Sequence, residues 1–370
     1  MKALRLHAAM VMVVLAMSAQ QDPERILQQA IQLHQAGKAE EAIPQYRAYL
    51  KLRPDATDAR SNLGAALAAT GRYEQAITEY QTALKQRPGD ARIHMNLALA
   101  RYKLGMVGEA ANEFEALHAA APGDRQISLL LADCWLRQGL NGKVIELLAP
   151  AAERDPADLA AAYLLGTALL RDSQISRGQQ MIDRILRNGD SAEARLLMGT
   201  AKLQARDFEA AIRDLQKAAE LDPHLPDVYS YLGRACLGTN DPVAARAAFE
   251  KELQENPNDF ESNLNLAALL RQNEDYAGAR RLLDRALRVR PGDARARFQL
   301  ASDNLAAGRL EEARTGLEAL VRQSPRFVEA HLALATTYYR LKRQADGDRE
   351  RAVAQKLTAE QRSKEQGTPE

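Results

Sequence analysis

Prolines recur through this sequence at a fixed interval. The interval is about 34 residues along most of the chain, a length that is typical of repeat proteins in which each period is one structural unit. The prolines that keep this spacing are Pro54, Pro88, Pro122, Pro156, Pro223, Pro257, Pro291 and Pro325. The gap between Pro156 and Pro223 is one residue short of two full intervals. The period therefore constrains the fold more strongly than any local motif.

Small residues keep the same phase as the prolines. In the unit that contains Pro88, Gly64 stands near the start, Ala76 stands in the second half, and the larger Tyr80 follows one helical turn after Ala76. The other units repeat these residue types, and the apolar residues between them recur at helical spacing on either side of a turn such as that at Gly71. Each unit is therefore predicted to be a hairpin of two amphipathic helices that approach closely at the small residues.

These small, aromatic and proline positions resemble the pattern of the tetratricopeptide repeat family, whose repeat is a helix-turn-helix of the same length. The resemblance implies an all-α fold, an α-α solenoid wound as a right-handed superhelix of about ten helical hairpins with a C-terminal capping helix. The predicted repeats are residues 23–56, 57–90, 91–124, 125–158, 159–191, 192–225, 226–259, 260–293, 294–327 and 328 onward, within a solenoid of residues 20–345. The pattern residues pack helices together, so the resemblance specifies the fold more than the function.

Both ends of the chain differ from the repeats. Residues 1–19 have a basic start, a short apolar run and an end rich in small residues, at Ala16, Ser18 and Ala19, which is the layout of a secretory signal peptide. A retained membrane anchor is the alternative, although the apolar run is short for a bilayer. Cleavage would leave a periplasmic or secreted protein, with no stable membrane insertion afterwards. Residues 346–364 are predicted to form the charged capping helix, and residues 365–370 a frayed tail.

Several residues depart from the repeat pattern. The unit at residues 159–191 is one residue short and has Ser173 at the position of the usual turn glycine, so a weaker joint is predicted there. Pro44 and Pro150 fall within second helices, where each removes a backbone hydrogen bond. Cys134 and Cys236 lie three units apart and are predicted to be packed thiols, not a disulfide.

Charge and motif content argue against most other functions. The chain has 50 Lys and Arg against 49 Asp and Glu, so the excess of cations that phosphate binding requires is missing, and no nucleic-acid partner is expected. The histidines are interpreted as scattered over different repeat positions, and the nucleotide-loop and zinc motifs are absent from the sequence. We expect no metal, no cofactor and no catalytic residue, and a core position for Trp135. An enzyme with an unrecognised site is the remaining alternative.

In members of the tetratricopeptide repeat family, the first helix of each repeat lines a concave groove. The resemblance implies the same for this chain, at those first-helix residues that do not belong to the apolar core stripe. The residues predicted to line a peptide-binding groove are Asn62, Asn96, Tyr102, Leu130, Asp133, Tyr163, Leu164, Leu197, Tyr231, Arg234, Asn265, Phe298 and Tyr339. The asparagine amides can donate to and accept from a peptide backbone, or they can simply be solvent-facing.

Apolar residues are concentrated on the first helices of three consecutive central repeats. They are Leu129, Leu130, Leu136, Tyr163, Leu164, Leu170, Leu196, Leu197 and Leu203. These side chains form either a hydrophobic anchor for a partner or part of the core between repeats. The sequence as a whole predicts a non-catalytic scaffold that binds a peptide or protein segment, and the alternative is a structural component of an envelope assembly that self-associates or acts as a spacer.

Overall fold

A computed structural model describes residues 22–366, so the predicted signal peptide lies outside the described residues. The described residues form twenty α-helices and no strand. The helices are α1 (Pro23–Gln35), α2 (Ala39–Leu52), α3 (Thr57–Ala69), α4 (Tyr73–Gln86), α5 (Ala91–Lys103), α6 (Val107–Ala120), α7 (Arg125–Gln138), α8 (Asn141–Arg154), α9 (Leu159–Arg171), α10 (Ile175–Leu186), α11 (Ala192–Gln204), α12 (Phe208–Leu221), α13 (Val228–Gly238), α14 (Pro242–Glu255), α15 (Phe260–Gln272), α16 (Tyr276–Val289), α17 (Ala294–Ala306), α18 (Leu310–Gln323), α19 (Val328–Arg340) and α20 (Gln344–Gln366). The all-α prediction is confirmed.

The helices are organised as antiparallel pairs, which is the predicted α-α solenoid arrangement. Within a repeat the first helix packs on the second, as α3 does on α4, and the second helix packs on the first helix of the next repeat. First helices of neighbouring repeats also touch, for example α3 with α5 and α9 with α11. The chain divides into two compact units, with the boundary between Cys134 and Trp135 inside α7, so the short repeat lies within the second unit.

The periodic large residues form the core of the hairpins, as predicted. Each is at most 1% exposed: Tyr46, Tyr80, Phe114, Leu148, Leu215, Phe249, Leu283 and Leu317. Each fills space that small residues leave open. A Cβ atom at Gly64 would lie 2.6 Å from Cε1 of Tyr80, so only glycine allows this approach of α3 and α4.

Each of the ten hairpins in the described chain has one turn residue in the left-handed conformation. The φ values lie between 59° and 82° at Gly37, Gly71, Gly105, Gly139, Ser173, Arg206, Asn240, Glu274, Gly308 and Lys342. Five of these residues are not glycine, although a side chain in this conformation costs about 1 kcal/mol. The packing of the two helices therefore imposes the turn even where the residue does not favour it.

The other departures from the repeat pattern lie where the sequence predicts them. Pro44 and Pro150 are inside helices α2 and α8. Cys134 and Cys236 are buried free thiols. None of the described helices combines the length and the apolar character that crossing a bilayer requires.

Candidate functional site

Eleven of the thirteen residues predicted to line a groove are partly exposed, and two are not. Leu197 is 1% exposed and Tyr231 is 3% exposed, so the prediction is wrong for both. The side chain of Leu197 occupies the space beside Gly166, where its Cδ1 atom lies 3.0 Å from the position of an added Cβ. Tyr231 belongs to a core cluster of the second unit, together with Leu196 and Leu215. The groove positions are therefore not equivalent along the chain.

In the first unit, two of the predicted asparagines lie on neighbouring helices and are available to a partner. Asn62 on α3 and Asn96 on α5 occupy the same repeat position, and α3 packs against α5. Both residues are half-buried, and no hydrogen bond from the described residues reaches either side-chain amide. Each amide can donate to one peptide carbonyl and accept from one peptide N–H. Two such groups, one repeat apart, suit the backbone of an extended segment.

A tyrosine and a carboxylate lie close together at the next repeat boundary of the first unit. The hydroxyl of Tyr102 on α5 donates a hydrogen bond to Oδ2 of Asp133 on α7. Leu130 lies one helical turn before Asp133 and is half-buried. The predicted residues Asn96, Tyr102, Leu130 and Asp133 thus form a surface with amide, aromatic, aliphatic and acidic groups on two first helices. We call these residues, together with Asn62, the first-helix surface of the first unit.

In the second unit, the corresponding helices are joined by a partly buried network of arginines and carboxylates. The Nε of Arg171, the last residue of α9, donates to the hydroxyl of Tyr231 at 2.7 Å. Its two terminal nitrogens donate to Asp227 at 2.9 Å and to the carbonyl of Leu136 at 3.1 Å. Arg234 lies over the same tyrosine ring, 5.3 Å from its centroid. The network explains why Tyr231 is not available to a peptide.

A second arginine extends this network to residues far apart in sequence. Arg290 donates from Nε to the carbonyl of Arg137 at 2.6 Å and pairs with Glu261 at 3.1 Å, and Arg295 approaches the same carboxylate at 3.3 Å. Burial acts to raise the pKa of Glu261, but Arg295 and Arg290 outweigh it and hold that pKa below its ordinary value. Glu261 is therefore an ionised, charge-paired carboxylate inside the second unit.

The N-terminus of α13 is capped by a residue from another helix. Asp227 precedes α13 with φ of 69° and does not cap it with its own side chain. The carboxylate of Glu252 on α14 instead accepts from the backbone N–H groups of Asp227 at 3.1 Å and of Ser230 at 3.4 Å. Burial and, after it, the neighbouring carboxylates of Asp227 and Asp259 raise the pKa of Glu252 to about 8. This arrangement leaves the Asp227 side chain to bind Arg171.

The central apolar cluster is divided between core and surface. Five of its nine residues are less than 10% exposed, namely Leu136, Leu170, Leu196, Leu197 and Leu203. Leu129, Leu130, Tyr163 and Leu164 are half-buried. The five buried residues therefore belong to the core, and Leu170 packs beside Gly178 of its own repeat.

The remaining predicted groove residues bind to their own neighbourhood. The amide of Asn265 donates to the carbonyl of Glu261 in its own helix at 2.7 Å. The rings of Phe298 and Phe327 lie 5.1 Å apart, and the Tyr339 hydroxyl donates to Asp348 at 2.9 Å. These side chains are thus less available than the amides of the first unit.

Two histidines share one repeat position, which contradicts the interpretation that the histidines are scattered. His94 and His331 each stand six residues after a periodic proline and bond its carbonyl, at 2.8 Å and 3.0 Å. Each also bonds a glutamate 19 residues later, Glu113 at 2.5 Å or Glu350 at 2.6 Å. The sequence signal for this pair of hydrogen bonds is a histidine six residues after a periodic proline, followed by a glutamate 19 residues later.

Trp135 is the first residue of the second unit, and a lysine lies beside its ring. Trp135 is half-buried rather than in the core, and the ammonium of Lys143 lies 5.0 Å from its ring centroid. Among the described residues, no group of three or more His, Cys, Asp or Glu side chains is placed to hold a metal ion.

The geometry defines an α-solenoid of stacked helical hairpins, a class of proteins whose extended surfaces bind other proteins. A family model described as "TPR repeat" matches residues 66–105, and two described as "Tetratricopeptide repeat" match residues 95–143 with 196–260 and residues 237–302 with 270–336. The chain belongs to the tetratricopeptide repeat family.

Several solved structures resemble the chain. The Cut9–Hcn1 hetero-tetramer of the APC/C shows the same fold, with a TM-score of 0.58 and 12% identity, over 92% of this chain and 82% of that chain. MamA from Desulfovibrio magneticus RS-1 matches with a TM-score of 0.43 and 23% identity, over 47% of this chain and 98% of that chain. Another MamA crystal structure has a TM-score of 0.41 and 19% identity, over 45% and 97% of the two chains. No curated protein matches the sequence.

Proposed function

We propose that this protein is a non-catalytic scaffold that holds an extended segment of a partner protein on the first-helix surface of the first unit. The observation that carries the proposal is the pair of half-buried amides of Asn62 and Asn96, which lie on packed neighbouring helices and have no partner in the described chain. The two amides lie one repeat apart, and each can both donate and accept a hydrogen bond, so they can bind successive stretches of one peptide backbone. Leu130 and Tyr102 then supply apolar contacts to its side chains.

Binding through the peptide backbone determines how selective the surface is for the partner's sequence. Backbone hydrogen bonds hold a chain in an extended conformation without reading its sequence, whereas pockets for side chains provide the specificity.

The proposal is tested with the intact protein and a displayed library of unstructured peptides. Peptides selected on the wild-type protein are measured by fluorescence anisotropy against Asn62→Ala/Asn96→Ala. Loss of two hydrogen bonds of about 1 kcal/mol each predicts an affinity about 30-fold lower. Asn265→Ala is the matched control, because that amide is bound to its own helix. Equal affinity of the wild-type protein and the double variant would overturn the proposal.

We also propose that the protein acts outside the cytoplasm. The support is the signal-peptide layout of residues 1–19, which lie before the first described helix. N-terminal sequencing of protein purified from its native source tests this, with a new terminus near Ser18 or Ala19 as the expected result. An intact terminus on soluble cytoplasmic protein would contradict it.

A further inference from the structure

The short repeat leaves a cavity in the second unit. Helix α10 has 12 residues where the other second helices before α20 have 14, and the loop after it turns at Gly189 with φ of 112°. Helix α13 is also short, with 11 residues, because the segment before Val228 is not helical. Leu225, in that segment, is 7% exposed. The two shortened elements border a cavity of about 320 Å³ beside α9, which we call the short-repeat cavity.

The walls of this cavity are mainly apolar. Leu159 and Tyr163 contribute from α9, Ile185 from the end of α10, and Leu225 from the loop before α13. Its volume is at the lower end of the range for ligand pockets, about 300 to 1,000 Å³, so it suits a single bulky side chain.

One charged residue occurs among the nine that line the short-repeat cavity, and that is Glu193 in the first turn of α11. No hydrogen bond or ion pair from the described residues reaches its carboxylate. The nearby Arg195 is already bound to Asp190 at 2.7 Å and to Asp214 at 2.9 Å. The cavity thus combines an apolar interior with an anion that the described chain does not neutralise.

We propose that the short-repeat cavity binds a bulky apolar side chain of a partner segment that carries a lysine or arginine next to it. The apolar side chain fills the space between Tyr163, Ile185 and Leu225, and the neighbouring cation pairs with Glu193. The inference rests on the proposed function, since it names a residue type of the partner, but it concerns different residues of the chain.

The test uses 2-phenylethylamine as the probe and the full chain with labelled isoleucine methyl groups. The Ile185 methyl resonance should shift and saturate, while that of Ile77, which is in the first unit, should not. The anionic counterpart 3-phenylpropionate should bind at least fivefold more weakly. Glu193→Gln should remove this difference, and Glu209→Gln, an exposed glutamate in the first turn of α12, should leave it unchanged.

A second variant separates binding in the cavity from binding elsewhere. Ala160→Leu places extra carbon atoms at the cavity wall and should abolish the Ile185 shift, whereas Ala91→Leu, at the start of α5, should not. The proposal is overturned if Ile185 does not respond to the amine, if both probes bind equally, or if Ala160→Leu has no effect. Because the probe involves neither Asn62 nor Asn96, a failed peptide experiment with an Ile185 response would count against the proposed function alone.

Discussion

The Nε atom of Arg171 donates a hydrogen bond to the hydroxyl of Tyr231, 2.7 Å away and 60 residues further along the chain. In a stack of repeats most contacts join neighbours, so this bond ties together helices with another repeat between them. The same guanidinium pairs with Asp227, which is therefore bound to a cation instead of capping α13. The first helices of the second unit are thus held by charge pairs, whereas Asn62 and Asn96 of the first unit have unbound amides.

Replacing Arg171 should weaken the second unit. Arg171→Ala removes three hydrogen bonds and leaves the Asp227 carboxylate without its cation, for an expected loss of about 3 kcal/mol in the free energy of unfolding. Urea unfolding followed by circular dichroism measures the loss. Arg177→Ala on α10 is the control, because Arg177 is exposed and bonded to Gln174, and it should cost at most about 0.5 kcal/mol. Equal costs for the two variants would show that the network does not stabilise the fold.

Asp303 on α17 should make stability fall as pH rises. Its side chain is 1% exposed, neither carboxylate oxygen has a hydrogen-bond partner among the described residues, and Nε of Arg271 lies 3.8 Å from Oδ1. Burial, partly offset by Arg271 and Arg309, raises the pKa of Asp303 to about 6. A raised folded-state pKa means that the folded chain binds the proton more tightly than the unfolded chain, so stability is lost between about pH 4 and pH 6 and stays lost above.

Asp303→Ala is the variant that measures this effect. Other repeats place an apolar residue there, such as Ala66 or Ala100, so the substitution should stabilise the protein at pH 8 by about 1 to 2 kcal/mol. At pH 4 the gain should vanish. Asp284→Ala, at an exposed position of α16, is the control and should change little at either pH. A gain that is the same at both pH values would contradict the account.

The bond between His94 and Glu113 should add stability at low pH. Burial acts to lower the pKa of His94, but its bonds to the Pro88 carbonyl and to Glu113 outweigh this and raise the pKa. The stabilisation is therefore complete below about pH 6.5 and is lost as pH rises through the higher folded-state pKa. His94→Gln should cost a few tenths of a kcal/mol more at pH 5.5 than at pH 8.5, since solvent partly screens the pair. Thermal unfolding at the two pH values measures this difference, with the exposed His224→Gln as the reference.

Glycine should be favoured at the non-glycine turns. Ser173 and Glu274 both have φ of 61°, a conformation that strains a residue with a Cβ atom. Ser173→Gly and Glu274→Gly should each raise the free energy of unfolding by up to about 1 kcal/mol. Ala36→Gly is the contrasting change, because Ala36 has φ of −77° and glycine there only adds freedom to the unfolded chain. The explanation would be refuted if Ala36→Gly stabilised the protein, or if neither Ser173→Gly nor Glu274→Gly did.

The sequence predicts the hairpins well because the same packing problem recurs in every repeat. Gly64 opposite Tyr80 is a local relationship, and a fixed period exposes it. The bond between Arg290 and the Arg137 carbonyl joins residues that are 153 positions apart. A repeat pattern predicts contacts within a repeat and with its neighbours, so it does not predict this one. Leu197 and Tyr231 share a repeat position with Asn62, yet they are buried, because the short repeat and the arginine network change the surroundings of that position in the second unit. The candidate surface is therefore predictable in the first unit and only partly in the second.

The most direct test of the central claim observes the two asparagine amides themselves. In the intact protein labelled with nitrogen-15 at asparagine, addition of a selected peptide should shift the side-chain amide resonances of Asn62 and Asn96, with one common dissociation constant. The resonance of Asn265, which already donates to its own helix, should not move. A peptide that binds tightly while the Asn62 and Asn96 amides remain unshifted would contradict the account.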